Sequence, residues 1–335
     1  MTFKVIYLYP RSSYRTPLRS DTLWGLLMVA LRVVAGDQAA DAFIEACEAG
    51  RPPVRISSAF PFLVAPTDTG TTVRHHFFPR PALPPPPLSR PDTMDPDRLF
   101  EQMRLGKQTR SIQWLPQSLF EAVLQGKLDE AGLQRALQEY RGPWPQLYLQ
   151  DNLHTSIDRL TGTTRMENGA GQLFYSREFY LGRRQGLFFL CTGEVERLLP
   201  AIRYLHHTGW GGDSSVGKGH FDWERGTLTL NVPDQPTHRV LLSLYSPTAE
   251  ELAHLRHHPE KTWYRLERRQ GYAGAHRLTG GAYRKPPLYM LAEGAVVPDP
   301  GRPLCGSVHR VLRSGPVWIR HSGLALDVPA RIQGT

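Results

Sequence analysis

The residues best equipped for chemistry lie in one stretch, Gly209-Trp210-Gly211-Gly212-Asp213-Ser214-Ser215-Val216-Gly217-Lys218-Gly219. A backbone this rich in glycine can approach a phosphate chain and offer it successive N–H groups, because no Cβ stands in the way. Ser214 and Ser215 add hydroxyl donors and Lys218 adds a charge. Gly212 to Lys218 also fits the G-x-x-x-x-G-K start of a nucleotide P-loop. Two facts oppose that reading. Position 219 is Gly where a P-loop needs a hydroxyl for magnesium. The stretch is also expected to run from a helix into a strand, whereas a P-loop runs into the helix whose N-terminal amides face the phosphates. The bland alternative is a surface loop after a helix C-terminus.

Other constellations are weaker. His154, Asp158 and Arg159 have the types needed for acid–base work on RNA, since imidazole titrates near neutrality and a guanidinium stabilises phosphate charge. Arg159 serves as readily as a phosphate clamp. The doublets His75-His76, His206-His207 and His257-His258 invite a metal, but adjacent side chains diverge, so each doublet offers at most one ligand. Solvated or RNA-facing histidines fit better, and no metal or cofactor is expected. Tyr175, Phe179 and Tyr180 interleave with Arg177, Arg183 and Arg184, as in base-stacking surfaces and equally in a hairpin with core aromatics. Arg265, Arg268, Arg269, Arg277, Arg284 and Lys285 form the densest basic region, either a nucleic-acid face or an ordinary solvated one.

Composition sets the frame for these residues. The chain has 335 residues and a formal charge of +9, with 34 Arg and 6 Lys. Residues 254–335 carry +8 of that charge. A concentrated basic surface is the footprint of phosphate binding. Cys47, Cys191 and Cys305 are odd in number and far apart, so no disulfide framework or zinc site is expected and a reduced cytoplasmic protein is the simplest reading. The N-terminus lacks a signal-peptide layout, and the apolar run inside Leu23 to Val34 is too short to span a bilayer, so no membrane is expected.

The elements that must position these residues follow from periodicity. Phe3 to Tyr9 alternates as a strand, and Ser20 is placed as the cap of a helix from Asp21 to about Val34 that Gly36 stops. That helix is apolar nearly all round and should be buried against a sheet. Val54 to Val64 reads as a strand. Pro79 to Pro96 holds 8 prolines in 18 residues and opens an insertion, 79–145, whose helices are signalled by a Ser118/Glu121 capping box and by Asp129 to Tyr140. Gly186 to Cys191 is an apolar strand. Thr192 to His207 has helical period, with Pro200 arguing for a kink or a late start, and Phe221 to Val232 is a strand. This is the split βαβ order of a ferredoxin-like, RRM-like domain. A second, shorter series follows: strand Arg239 to Tyr245, helix Thr248 to His257, and strands Trp263 to Arg269, Leu288 to Leu291 and Val317 to Val328. The expected fold is therefore α+β, two tandem ferredoxin-like units over 1–236 and 237–335, with a helical insertion in the first.

Five motifs, in order, resemble one family. Ser20-Asp21-Thr22-Leu23-Trp24-Gly25-Leu26-Leu27 is similar to the S-D-T-L-x-G-x-L signature of RAMP proteins, and the Gly-rich loop to their G-x-G-G-x-x-S-x-G-K-G signature. Asn152 to Thr163 resembles an I-D-R-x-T-G-x-T segment. Pro286 to Gly294 and His321 to Leu326 resemble the family's C-terminal motifs. The combination looks most like the Csm subunit-four family, which caps the CRISPR RNA 5′ handle in type III-A interference complexes.

The resemblance implies a non-catalytic antiviral-defence subunit that holds the 5′ handle, docks the large polymerase-like subunit and seats the adjacent backbone RAMP subunit. It implies RNA contacts near Arg19, Ser20, Thr22 and Trp24, and along an arm at about 150–185 carrying Asn152, His154, Ile157, Arg159, Thr161, Arg165 and Arg177. It implies further contacts from Gly209, Gly211, Gly212, Ser214, Ser215, Gly217, Lys218 and Gly219, and from Arg284 and Lys285. The alternative is a RAMP endoribonuclease that processes precursor RNA with His154 or His206 as base. The insertion matches none of the motifs.

Overall fold

A computed structural model describes residues 1–66, 71–85, 100, 104, 106–107, 109, 111–164, 166–167, 170–272, 284–314 and 317–333. The first unit contains β1 (Thr2–Pro10), α1 (Ser20–Glu48), β2 (Val54–Ile56), β3 (Phe60–Pro66), β4 (Thr72–Pro79) and β5 (Trp114–Pro116). It continues through α2 (Gln117–Leu124), α3 (Glu130–Glu139), β6 (Leu147–Thr155), β7 (Met166–Glu167), β8 (Ala170–Gly171), β9 (Leu173–Leu181) and β10 (Gln185–Gly193). A 3₁₀ turn, Val195–Leu198, then runs into α4 (Leu199–Thr208), and β11 (Phe221–Thr229) closes the unit.

The central sheet has the order β11-β1-β10-β3-β4-β5, with β2 also on β10. All five pairings along this order are antiparallel, and the helices α1 and α4 follow β1 and β10. That is the split βαβ topology expected from the sequence. Because strand side chains alternate, Ile6 and Leu8 face α1 and α4, packing with Leu23, Leu27, Phe189 and Ile202. Phe3, Val5 and Tyr7 point the other way, into a second core with Phe188 and Leu190.

That second core is shared. It takes Phe120, Val123 and Leu124 from α2, and Val240, Leu242 and Val328 from the second unit. The second unit comprises β12 (His238–Leu241), α5 (Ala249–His257), β13 (Leu266–Arg269), β14 (Leu288–Leu291), β15 (Val296–Pro298), β16 (Gly306–Ser314), β17 (Val317–Leu324) and β18 (Asp327–Ala330). Strand β12 lies between β15 and β18, while β13 pairs with β14 and β16 with β17. Thr248 and Glu251 form a reciprocal capping box on α5, and Glu251 also accepts the Cys305 amide at 2.6 Å.

Several expectations change. The helix is interrupted at Gly36 as expected, where φ 84 and ψ 171 are non-helical, but a second helical arm follows directly and buries Phe43, Ile44 and Cys47. By length and mean hydropathy, 1.3, α1 would suffice to cross a membrane; Leu23, Leu27, Phe43 and Ile44 lie in the protein core, while Val29, Val33 and Val34 are exposed. Ser20 is not a cap. It sits inside the first turn, donates its N–H to Ser58 Oγ and uses its own Oγ to accept the Leu244 amide, each at 2.9 Å. The Ser118/Glu121 box is also absent. Pro116 occupies the N-cap of α2, and Glu121 accepts instead from Gln117. Val54 to Val64 divides into β2 and β3, and Pro200 falls in the first turn of α4, where its missing N–H costs nothing.

Polar links lock the two units. Asp21 pairs with Arg269 at 2.8 Å and with His321 Nε2 at 2.9 Å, and its side chain is 4% exposed. Glu48, at the other end of α1, takes Arg310 at 2.7 Å and Arg320 at 2.8 Å. Burial alone would raise the Asp21 carboxyl, but His321 and Arg269 hold it well below the usual range. Hydrogen bonds from Arg310 and Arg320 lower Glu48 to about 2.

Two outcomes follow from this junction. Asp21→Asn leaves a buried arginine and histidine without their counter-charge, and should cost about 3–5 kcal/mol in urea unfolding. Asp151→Asn, which removes the exposed partner of Arg177, should leave the midpoint where it is; equal losses in both variants would contradict the clamp. Because folding lowers the Asp21 and Glu48 pKa values, the folded state binds fewer protons than the unfolded chain. Stability is full above the ordinary carboxylate range and should fall as pH drops from about 4.5 towards 2. A melting temperature that stays flat down to pH 2.5 would refute that linkage.

Candidate nucleic-acid interface

Three segments converge at one edge of the first unit: the β1–α1 loop at 11–16, the Gly-rich loop at 209–219, and the base of the β6–β9 hairpin. The 11–16 loop joins the other two. Tyr14 exchanges backbone hydrogen bonds with Phe179 on β9, at 2.8 and 3.2 Å, and its ring stacks on Phe179 at 5.5 Å. On the other side, Gly219 N–H donates to Ser13 C=O at 2.8 Å and His220 N–H donates to Ser12 Oγ at 3.0 Å. Trp210 anchors the loop: it is 2% exposed and packs between Tyr14 and Phe221.

The loop needs its glycines for conformation as well as for access. Gly219 has φ 69, and a Cβ there would lie 2.2 Å from the Trp210 carbonyl oxygen. Asp213 is itself left-handed, at φ 63, and its carboxylate is held by Arg15 at 2.6 Å. Ser214 and Ser215 begin the 3₁₀ turn Ser214–Val216 on the exposed side.

Lys218 does not point outward as a free cation. Its ammonium donates to Glu178 Oε2 at 2.7 Å and to Ser13 Oγ at 3.0 Å. Ser13 Oγ also donates to Glu178 at 2.6 Å, and the Tyr180 hydroxyl donates to it at 3.0 Å. Burial would raise the Glu178 carboxyl, but Lys218, Ser13, Asn152 and Tyr180 together bring it down to about 2. Sequence reasoning missed Glu178, Ser13 and Tyr14. The only signal was a lone acid between Tyr175, Arg177, Phe179 and Tyr180.

The hairpin itself has two unlike faces. Register places Asn152, His154, Phe174, Ser176 and Glu178 on one face, and Leu149, Leu153, Leu173 and Tyr175 on the other. His154 stacks on Phe174 at 5.4 Å, and its Nε2 lies 3.9 Å from Glu178 Oε1. Asn152 donates to the Tyr180 hydroxyl at 3.2 Å. Arg177 forks onto Asp151 on the opposite face. Beyond the paired strands, Ile157 is exposed and Arg159 makes no ion pair among the described residues. Asp158 accepts the Leu160 amide, and Thr161 Oγ1 contacts Thr163 Oγ1. Arg165 and Arg277 lie outside the described residues.

The other expected contacts fall elsewhere. Arg19 is paired with Glu267 and Glu293, Thr22 Oγ1 accepts from Arg269, and Trp24 is 5% exposed in the α1 core. Arg19, Ser20 and Thr22 meet the second unit. Asp21 takes Arg269, His321 and the Thr22 N–H at the start of α1. Lys285 is near this junction; burial lowers its pKa and Asp21 opposes the shift. Arg284 contacts Gln270. Between the two groups of residues lies a cleft of ≈ 720 Å³ whose lining includes Tyr14, Arg19, Phe179, Trp114 and Arg265. His206 Nδ1 donates to the Phe221 carbonyl at 2.6 Å, so that nitrogen carries the proton. Among the described residues no group of three or more His, Cys, Asp or Glu could hold a metal ion.

Comparison with known proteins agrees with the sequence motifs. Residues 234–327 match the CRISPR Csm4 C-terminal domain family. A protein of Thermococcus onnurineus (strain NA1), described as CRISPR system Cms protein Csm4, is 27% identical over 305 residues, covering 89% of this chain and 88% of that protein. A chain in the crystal structure of a Csm1–Csm4 cassette with cA4 superposes with TM-score 0.61 at 20% identity over 100% of both chains. A chain of a Csm3–Csm4 subcomplex from the type III-A CRISPR-Cas interference complex gives 0.58 at 14% identity, over 97% of this chain and 99% of that one.

The close approach at Gly219 separates two glycine substitutions. Gly219→Ala combines left-handed φ with the Trp210 contact, and should cost more than about 3 kcal/mol and loosen Trp210. Gly217→Ala, at φ 91 with open space around it, should cost about 1 kcal/mol. Equal urea midpoints for the two variants would show that the loop does not depend on that approach.

Proposed function

We propose that this chain, a member of the Csm4 family of RAMP proteins and a subunit of a type III CRISPR complex, is the non-catalytic scaffold that grips the 5′ handle of CRISPR RNA. The observation that carries the reading is the convergence of the Gly-rich loop, the 11–16 loop and the polar hairpin face on one edge. Together they offer amide donors, the Ser214 and Ser215 hydroxyls and the stacked His154–Phe174 pair to a single strand of RNA.

The tandem architecture belongs to the same proposal. In the second unit, β14 and β15 act as one interrupted strand: β14 pairs with β13, β15 pairs with β12, and Trp263 bridges to Val296. The order β18-β12-β15/β14-β13 then repeats that of the first unit, with α5 after its first strand and the β16–β17 hairpin in place of the second helix. On this reading the boundary falls near residue 236. By analogy with relatives solved beside Csm1 and Csm3, the large polymerase-like subunit and the adjacent backbone RAMP subunit are the protein partners.

A second reading keeps one observation. His154, half-exposed with a carboxylate at 3.9 Å, has the arrangement a general base uses. Incubating the full chain with labelled repeat RNA, with and without divalent metal, separates the two readings when ATP turnover is assayed alongside. The scaffold predicts handle binding with no cleavage and no ATP hydrolysis. Cleavage lost in a complex carrying His154→Ala and His206→Ala, with assembly intact, would replace it with the endoribonuclease.

A further inference from the structure

We infer, resting on the reading of this edge as an RNA site, that Lys218 is an internal strut and Glu178 the positioning residue that holds it. RNA then meets the loop's amides and hydroxyls, and not the ammonium. Glu178 is 1% exposed on its side chain, and its Oε1 has no hydrogen-bond partner. Its charge is therefore met almost entirely through Oε2, by Lys218, Ser13 and Tyr180. If Lys218 swung out to a phosphate, it would strand a buried carboxylate already short of a donor.

The same contacts tie together all three segments of the edge. Glu178 is on the hairpin, Lys218 on the Gly-rich loop and Ser13 on the β1–α1 loop. Two of the three ammonium donors are used inward, and the positive charge is cancelled at 2.7 Å. A phosphate approaching the third donor would also meet the negative charge of Glu178. Lys218 should thus add nothing to the count of phosphate contacts, although it sits in the most basic-looking motif of the loop.

Salt dependence tests this directly, because each phosphate contact on a single strand adds about 0.7 to the slope of log affinity against log salt. Glu178→Gln frees the ammonium and should steepen that slope by about 0.7. The double variant E178Q/K218M removes both charges and should keep the wild-type slope. A double variant shallower than wild type by about 0.7, or an E178Q slope equal to wild type, would overturn the proposal. If the unaltered chain does not bind handle RNA, the RNA reading itself fails, and the strut is judged by melting temperature. Lys218→Met alone, which leaves Glu178 buried without its cation, should then melt lower than the double variant; additive losses would refute the strut.

Discussion

Asp21 keeps a negative charge inside the protein only because Arg269 and His321, 248 and 300 positions further along the chain, arrive at its two oxygens. A carboxylate so enclosed is costly unless paired and hydrogen-bonded, so its partners cannot drift without a large penalty. That requirement fixes β13 and β17 against the start of α1. Glu48 does the same for the β16–β17 hairpin at the far end of the helix. Once α1 is so held, both faces of the central sheet are covered, by its own helices on one side and by the insertion and second unit on the other.

Glu178 repeats the device at the edge where the Gly-rich loop meets the β6–β9 hairpin. A chain with a formal charge of +9 is thus organised at its key joints by acids, each surrounded by cations drawn from distant segments. The hairpin divides its labour by alternation: the face carrying Asn152 and His154 adjoins the Gly-rich loop, while Leu149, Leu153 and Tyr175 form an exposed apolar face on the other side.

The strand–helix order of the first unit was legible because β1 alternates, α1 opens on a long apolar run and β10 is a short apolar one. The Gly-rich loop stood out by composition, and four of its five glycines, Gly209, Gly211, Gly217 and Gly219, take the positive φ that other residue types rarely adopt. What could not be read was the partnering of charges. Ser20 looked like a cap because Ser commonly caps, yet tertiary contacts with Ser58 and Leu244 claimed it. Lys218 looked like a phosphate ligand because nothing in sequence marks Glu178, forty residues away, as its partner. The break at Gly36 was legible, but the second helical arm beyond it was hidden, since nothing local marks Phe43 and Ile44 as core residues until they find their partners.

The antiparallel pairing of β1 with β11 sets Thr2 opposite Thr229. During synthesis, at about 5–20 residues per second, the first strand would wait on the order of ten to forty seconds for that neighbour. Through this interval one edge of β1 stays unpaired even after β10 has emerged, and the core shared by Phe3, Val5 and Tyr7 is not complete until β12 and β18 follow. Folding of this chain is therefore governed by late, long-range closure, and the ribosome's pace and the chaperones near its exit become determinants of yield.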